Sequence, residues 1–342
     1  MTPTHATFTR RSLLQAAGLG ALALPVLAAC GGGPSSSSAP ADTRSGAARS
    51  LGSVNLPAPS LGLLYNAPLQ IALVRGFFDE AGLTVQLADV VGTDVIRSIQ
   101  GQSAVGNPGA LPSIVAFSKG LKELRMLAPT YSGAENTFIA PTGGKVKSFA
   151  DLRKGMKIGG AVPATPPNYF ADALIRKAGL GPSRDVEIVS LGRAPDAWTA
   201  AKNGLVDVTW SNPPLDTQLI ASGEAVRVAL ASEFAPAWMD NVLTTTQAKL
   251  DSQGDQVAAV VAGVAKAHAL LRDDPEVAAA AWAKGAKIDP AVALAAIKDT
   301  PATAWNAKIN RTAVEACAEA ARTLGSVSGD VDLDLLLSSA ST

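Results

Sequence analysis

Ala67-Pro68-Leu69-Gln70-Ile71-Ala72-Leu73-Val74-Arg75-Gly76-Phe77-Phe78-Asp79-Glu80-Ala81-Gly82-Leu83-Thr84-Val85 changes its apolar period once, and that change sets the fold class. Leu69, Ala72, Leu73 and Phe77 recur at helical spacing, so a helix is predicted over Ala67–Ala81, closed by Gly82 as a left-handed cap. Thr84–Asp89 then alternates as a strand does, and Ser53–Leu56 forms a short apolar strand ahead of the helix. Strand, helix, strand is the unit of an α/β protein.

Outward from that unit the pattern repeats. Further strands are predicted at Ala104–Gly106, Arg125–Thr130, Phe138–Pro141, Lys157–Gly160, Val186–Ser190, Val206–Trp210 and Ala225–Leu230, largely parallel, with helices between them. Phe170–Ala178 is one such helix, closing on Gly179. After about Gln247 the chain turns Ala-rich. Helices are predicted at Asp255–Arg272, Pro275–Lys284, Pro290–Lys298 and Thr312–Leu324, with no strand between them. No internal repeat is present.

The chain has 342 residues, 47% hydrophobic and 17% charged, which is globular composition with room for two domains. Its 29 Lys+Arg balance 29 Asp+Glu, so no overall basic field exists to hold nucleic acid. With 2 His and 2 Cys, a zinc cluster or a disulfide framework is excluded, and no metal or cofactor is expected.

Thr9-Arg10-Arg11-Ser12-Leu13-Leu14 carries the twin-arginine export pattern. Ala16–Ala29 is apolar but shorter than the roughly 20 residues a membrane-spanning helix needs, so it reads as a signal h-region. It ends Leu27-Ala28-Ala29-Cys30, which resembles the bacterial lipobox and makes Cys30 the expected lipidation site. Residues 1–29 are thus read as a signal peptide. Residues 30–50, rich in Gly, Ser, Pro and Ala, are read as a flexible tether from the membrane.

The stretch Ala67–Val85 resembles the opening motif of the nitrate/sulfonate/taurine and thiamine-precursor solute-binding proteins of ABC importers. Gly101-Gln102, the run Asp151–Gly159, Ala178-Gly179-Leu180, and Ala201-Lys202-Asn203-Gly204-Leu205-Val206-Asp207 followed by Pro213 resemble that family's later landmarks in the same order. One departure is Ser103-Ala104, where the family places an aspartate. The resemblance runs from about Ser53 to Leu230. It implies an α/β, two-lobed, periplasmic-binding-protein-like (type II) fold with two hinge crossings and a helical C-terminal region. The crossings are expected near Pro129–Ser132 and Leu230–Pro236, giving one lobe from 51–131 with 231–342 and a second from 132–230.

In such folds ligands sit outside the carboxyl ends of strands, so the strand-to-helix turns supply the candidate site residues. Tyr65 and Asn66 precede the helix that begins near Pro68; a helix cap beside a packed tyrosine and a pair of ligand contacts are both open readings. Asn107 lies in the turn Gly106-Asn107-Pro108-Gly109. Thr165 and Asn168 belong to the turn Val162–Tyr169, where the resemblance implies an anion-binding turn with Thr165 as cap. Pro166 and Pro167 lack the N–H groups such a turn uses. Trp210 and Asn212 end a strand where an indole can stack on a ligand and an amide can bond it. Tyr131 and Trp238 fall near the crossings, and Arg193 follows a strand end as the candidate anion partner.

Catalytic constellations are missing. The body has no Gly-x-Ser-x-Gly elbow, no phosphate loop and no dinucleotide fingerprint. His268 shares a helix face with Val257, Val261, Val264 and Leu271, and Cys317 lies between alanines; both read as core. The expected function is a lipid-anchored, extracytoplasmic solute receptor, monomeric, that delivers a small organic anion to a permease and its ATPase without chemistry on it. A neutral planar ring such as a thiamine-precursor pyrimidine is the alternative ligand. A ligand-sensing lipoprotein and a pyrimidine-synthesising enzyme on the same fold are alternatives of another class, the last disfavoured by one body His and one body Cys.

Overall fold

The computed structural model describes residues 50–339. The export signal, Cys30 and nearly all of the tether lie outside the described residues. Strand β1 (Gly52–Ala58) runs parallel to β2 (Leu83–Asp89), with Val54 opposite Val85 and Leu56 opposite Leu87. Between them α1 (Ala67–Val74) is apolar apart from Gln70, and it is packed between β3 and two C-terminal helices. The helix stops earlier than its periodicity predicts. Gly76 takes φ 73°, a left-handed conformation open to glycine, and a single 3₁₀ turn at Asp79–Ala81 follows before Gly82 at φ 76°. The break turns Phe78 inward, where its ring lies against Gly263; a Cβ built on Gly263 would approach that ring to 2.5 Å.

Helices α2 (Gly92–Gln100) and α3 (Ala110–Ser118) come next. The predicted strand Ala104–Gly106 is reduced to one bridge, Gly106 to Thr244. Gly106 is pressed against Val95 and Ile99 of α2, and Pro108 then removes a donor, so no ladder extends from it. Strand β3 (Leu124–Ser132) is buried along nearly its whole length. It pairs antiparallel with β9 (Met239–Thr246), a strand that the sequence pattern does not announce.

The remaining strands, β4 (Thr137–Pro141), β5 (Lys157–Gly160), β6 (Glu187–Ser190), β7 (Val208–Ser211) and β8 (Ala225–Leu230), form a 5-stranded sheet in the order β6-β5-β7-β4-β8. Helices α4 (Pro166–Lys177), α5 (Ala194–Lys202) and α6 (Leu215–Ala221) connect its strands. The sheets are mixed rather than largely parallel. β5 runs parallel to β6 and β7, while β4 opposes β7 and β8. The chain enters this sheet through residues 133–136 and leaves through 231–238, and the strands bounding those passages, β3 with β9 and β4 with β8, run antiparallel for that reason. The first passage follows Pro129–Ser132 rather than occupying it, because Pro129 and Tyr131 stay paired with Val242 and Asn241.

The C-terminal region is helical as predicted: α7 (Gln247–Asp273), α8 (Pro275–Ala286), α9 (Pro290–Asp299), α10 (Arg311–Thr323) and a short α11 (Leu333–Leu336). Their starts are encoded locally. Thr246, Asp274, Asp289, Asn310 and Asp332 each accept a backbone N–H of the first turn through a side-chain oxygen, and Pro275 and Pro290 take first helical positions that need no donor. The cap at Thr246 explains why α7 begins at Gln247 rather than Asp255, with an irregular Gln253 inside it. No helix among the described residues is long and apolar enough to cross a membrane.

Three apolar clusters result, a small one of Ile139, Trp198, Ala201, Val206, Leu219 and Ala225 and two larger ones. One gathers β1, β2, α1, α7, α8 and α9 around Trp282 and Trp305. The other runs from α3, α10 and β9 to the inner face of the 5-stranded sheet, through Phe138, Phe170 and Trp238.

Candidate functional site

A cavity of about 600 Å³ opens where β1, β2, β6 and β7 end. One wall is the loop after β1, with Ser60 and Leu63, and the turn after β2, with Asp89 and Val91; the other is Arg193 at the start of α5, with Trp210 and Asn212 at the end of β7. Loops at the carboxyl ends of parallel strands leave helix N-termini facing the gap, which is why the opening forms here.

Each wall is held by its own polar contacts. Asp89 accepts the Ser60 N–H at 2.8 Å and the Leu61 N–H at 3.4 Å, fixing the β1 loop, in which Ser60 takes φ 51°. Behind that loop Asn66 is fully buried and donates to the carbonyls of Pro59 at 2.7 Å and Ser60 at 3.2 Å. Asn107, also fully buried, donates to Asn66 Oδ1 at 2.8 Å and to Thr130 Oγ1 at 3.0 Å. The Tyr65 hydroxyl donates to the Pro59 carbonyl at 3.2 Å. Tyr65, Asn66 and Asn107 thus brace the wall from behind, and Asn66 makes no side-chain cap of α1. Neither Asp89 nor Ser60 stands out in the sequence; a lone aspartate at a strand end carries no signal until its partners are known.

On the other wall Trp210 is half-buried, paired through its backbone with Phe138, and its indole N–H lacks a hydrogen-bond partner. Arg193 is exposed and forms no ion pair among the described residues. Asn212 is buried and donates to Glu135 Oε1 at 3.0 Å.

The other predicted residues lie elsewhere. Thr165 and Asn168 stand at the start of α4, outside this cavity's lining. The Thr165 hydroxyl does not cap α4; it turns back and donates to the Val162 carbonyl at 2.7 Å. Pro166 and Pro167 have no N–H, so the first turn of α4 offers an anion little. Asn168 is pressed toward Gly160 with its carbonyl oxygen unpartnered. Tyr131 packs edge-on against Trp305, and Trp238 stacks on Tyr169 at 5.5 Å. These two line a separate cavity of about 250 Å³ between the passages and the Pro301–Asn310 segment.

Beneath the main cavity lies a group of acids that no sequence motif marks. Glu135, in the passage into the 5-stranded sheet, accepts the Tyr65 N–H at 3.1 Å from one wall and the Asn212 amide from the other. Its own N–H donates to Asp240 Oδ2 at 3.1 Å. Burial and then the Asp240 charge hold the Glu135 carboxyl well above the usual carboxylate range, although the bonds from Asn212 and Tyr65 pull it down. Burial pushes Asp240 up to about 6 and raises Asp216 as well. Single acids at scattered positions have no period, so nothing in the sequence announces that the fold brings them together.

His268 is fully buried, its Nε2 3.1 Å from the Thr130 carbonyl, and burial lowers it to about 4. Burial pushes the Cys317 thiol up to about 12, far from a nucleophile's range. Among the described residues no group of His, Cys, Asp and Glu forms a metal site.

The NMT1/THI5-like family model matches residues 64–278, from the turn that carries Tyr65 to the start of α8. The chain belongs to this family. Its fold is that of the periplasmic binding proteins. It is similar to the periplasmic aliphatic sulphonate binding protein SsuA of Escherichia coli, with TM-score 0.66 and 18% identity over 83% of this chain and 91% of that one. The alkanesulfonate-binding protein SsuA of Xanthomonas axonopodis pv. citri, bound to MOPS, aligns with TM-score 0.64 and 17% identity over 84% and 98%. A protein of Bordetella bronchiseptica RB50 aligns with TM-score 0.62 and 24% identity over 82% and 91%. No curated protein matches the sequence.

Proposed function

We propose that this chain is the solute-binding component of an ABC importer, held outside the cytoplasmic membrane by lipid on Cys30 after twin-arginine export. It captures a small organic anion between two lobes, 51–131 with 231–342 and 132–230. The observation that carries this reading is the juxtaposition of Arg193, without an ion pair among the described residues, and a half-buried Trp210 on one wall of a cavity of about 600 Å³. A guanidinium at a helix start provides the charge complement for a sulfonate or carboxylate, and the indole provides a flat apolar face for the rest of the solute. Two of the similar proteins are named for binding sulfonates, which supports the same class. Closure around the solute then follows from contacts made to both walls at once.

A second reading, a neutral planar ring such as a pyrimidine, is favoured by the flat indole of Trp210 and by Arg193 being the single cation among the residues that line this cavity. Chemistry on the solute is not part of the proposal: His268 and Cys317, the residues an enzyme of this fold would draw on, are in the core. A thermal-shift screen against alkanesulfonates, nitrate, aromatic carboxylates and aminopyrimidines tests the reading, since a ligand at 100 times its Kd stabilises the native state by about 2.7 kcal/mol. Stabilisation by the anions alone supports the first reading, by the pyrimidines alone the second. No stabilisation by any of them contradicts both.

A further inference from the structure

Glu135 is the one buried side chain bonded to both walls of the cavity among the described residues. Its Oε2 takes the N–H of Tyr65, in the turn ahead of α1, and its Oε1 takes the side-chain amide of Asn212, at the end of β7. The neighbouring contact between the same two segments is also direct, the Leu64 N–H donating to the Pro213 carbonyl at 3.2 Å. Glu135 lies in the first passage between the sheets, and Asp240, which accepts its N–H, lies where the second passage ends in β9.

The charged and titratable groups that act on this pair come from each neighbouring element. They are Asp216 of α6, Tyr65 and Tyr131, with Arg227 of β8 acting on Asp216 and Cys317 of α10 next to Asp240. No cation pairs with Glu135 or Asp240 among the described residues.

We propose that Glu135 and Asp240 form a proton-linked clasp, which favours closed walls while the pair holds a proton and loosens them when both carboxyls ionise. It rests on the two-lobed receptor reading and adds a regulator to the same site. With the walls closed, Glu135 is buried and Asp240 half-buried next to its backbone, with no cation paired to either among the described residues, so ionising both brings two negative charges together with little solvent to screen them. Parting the walls breaks the bond to Tyr65 or the bond to Asn212 and admits water, so the open form ionises like an ordinary acid. The closed form therefore binds the proton more tightly. Acid favours capture, and the advantage fades as pH rises through the range in which the closed pair ionises.

Hydrogen exchange on the full chain without solute reads this directly, because the Leu64 and Tyr65 amides both donate across the gap. After correction for intrinsic exchange, protection of the peptide containing them is expected to fall about tenfold or more between pH 5 and pH 8. Amides of α7 around Val260 serve as the internal control and keep their protection. In Asp240→Asn the fall shrinks to about threefold or less, and in Glu135→Gln it vanishes. If Glu135→Gln does not fold, Asp240→Asn alone decides. Protection that is equal at pH 5 and pH 8 in the wild-type chain, or an undiminished fall in Asp240→Asn, overturns the clasp. A chain that binds solutes in the thermal-shift screen yet shows flat protection loses the clasp and keeps the receptor reading.

Discussion

Trp210 and Arg193 are the two side chains on which the proposed solute contact rests, and each makes a separable prediction. Trp210→Ala is expected to weaken solute binding by roughly 1–3 kcal/mol, as loss of an aromatic anchor does. Because Trp210 is half-buried, its removal costs less stability than the roughly 3–5 kcal/mol of a core aromatic. Affinity and melting temperature measured on the same variant distinguish the two, and wild-type affinity with a large stability loss would make Trp210 a core residue. Arg193→Gln should weaken anions by roughly 1–3 kcal/mol, the worth of a charge-assisted bond, while leaving neutral pyrimidines unaffected. Being exposed, it should change stability by no more than about 0.5 kcal/mol. That the fold brings these two residues and Asn212 to one cavity was legible because a strand end before a turn is a local signal. Tyr131 and Trp238 line a different cavity, which the sequence does not reveal because near the crossings only the completed fold decides which way a side chain faces. Asn66 and Asn107 look like ligand contacts in sequence; their partners are the carbonyls and side chains of the wall they brace.

At the scale of elements, the ends of α4, α7, α8, α9 and α10 fall within two residues of those the sequence predicts, while the starts of α4 and α7 and the end of α1 do not. Asp274-Pro275 and Asp289-Pro290 mark α8 and α9 unambiguously. The run through Phe77 and Phe78 looked equally continuous, yet α1 ends at Val74 because burial of Phe78 against α7 outweighs local helical spacing. Strand β9 was invisible for a related reason: Met239–Thr246 pairs with β3, so the signal for it lies far away in the chain. The Phe78–Gly263 contact gives a test at this scale. Gly263→Ala gains about 1 kcal/mol of helix propensity but places a Cβ 2.5 Å from the Phe78 ring, and overpacking of that kind costs about 1–3 kcal/mol. Net destabilisation is expected by chemical denaturation, with Phe78→Leu in the same chain restoring part of it. A stabilised single variant would mean that the ring moves aside freely.

For the whole molecule the buried acids and the buried histidine set opposite pH slopes. Asp240, raised to about 6, keeps its proton in the folded chain after the unfolded chain has lost it near 4, so its contribution to stability is full at low pH and lost as pH rises through 6. His268, lowered to about 4, contributes stability that is full above about 6.5 and lost as pH falls toward 4. The windows overlap, so the wild-type profile alone is blunt and the comparison with Asp240→Asn is informative. That variant should gain on the wild type, by on the order of 2 kcal/mol, between pH 4 and pH 7. A constant difference across that range would remove Asp240 as a titrating group. Envelope attachment is tested by fractionation: Cys30→Ser should leave the protein soluble outside the cytoplasm, and a variant that stays in the membrane would contradict lipid anchoring there.

The central claim is that the two walls capture a solute between them, and a fluorescence titration of the full chain tests it most directly. Tryptophan emission is followed while the anion that stabilises the chain most is added, in the wild type and in Arg193→Gln. A saturable change with one site is expected in the wild type, and affinity weaker by about tenfold or more in Arg193→Gln, the equivalent of at least about 1.4 kcal/mol. Equal affinity in both chains, or no saturable change with any solute of the screen, would contradict it.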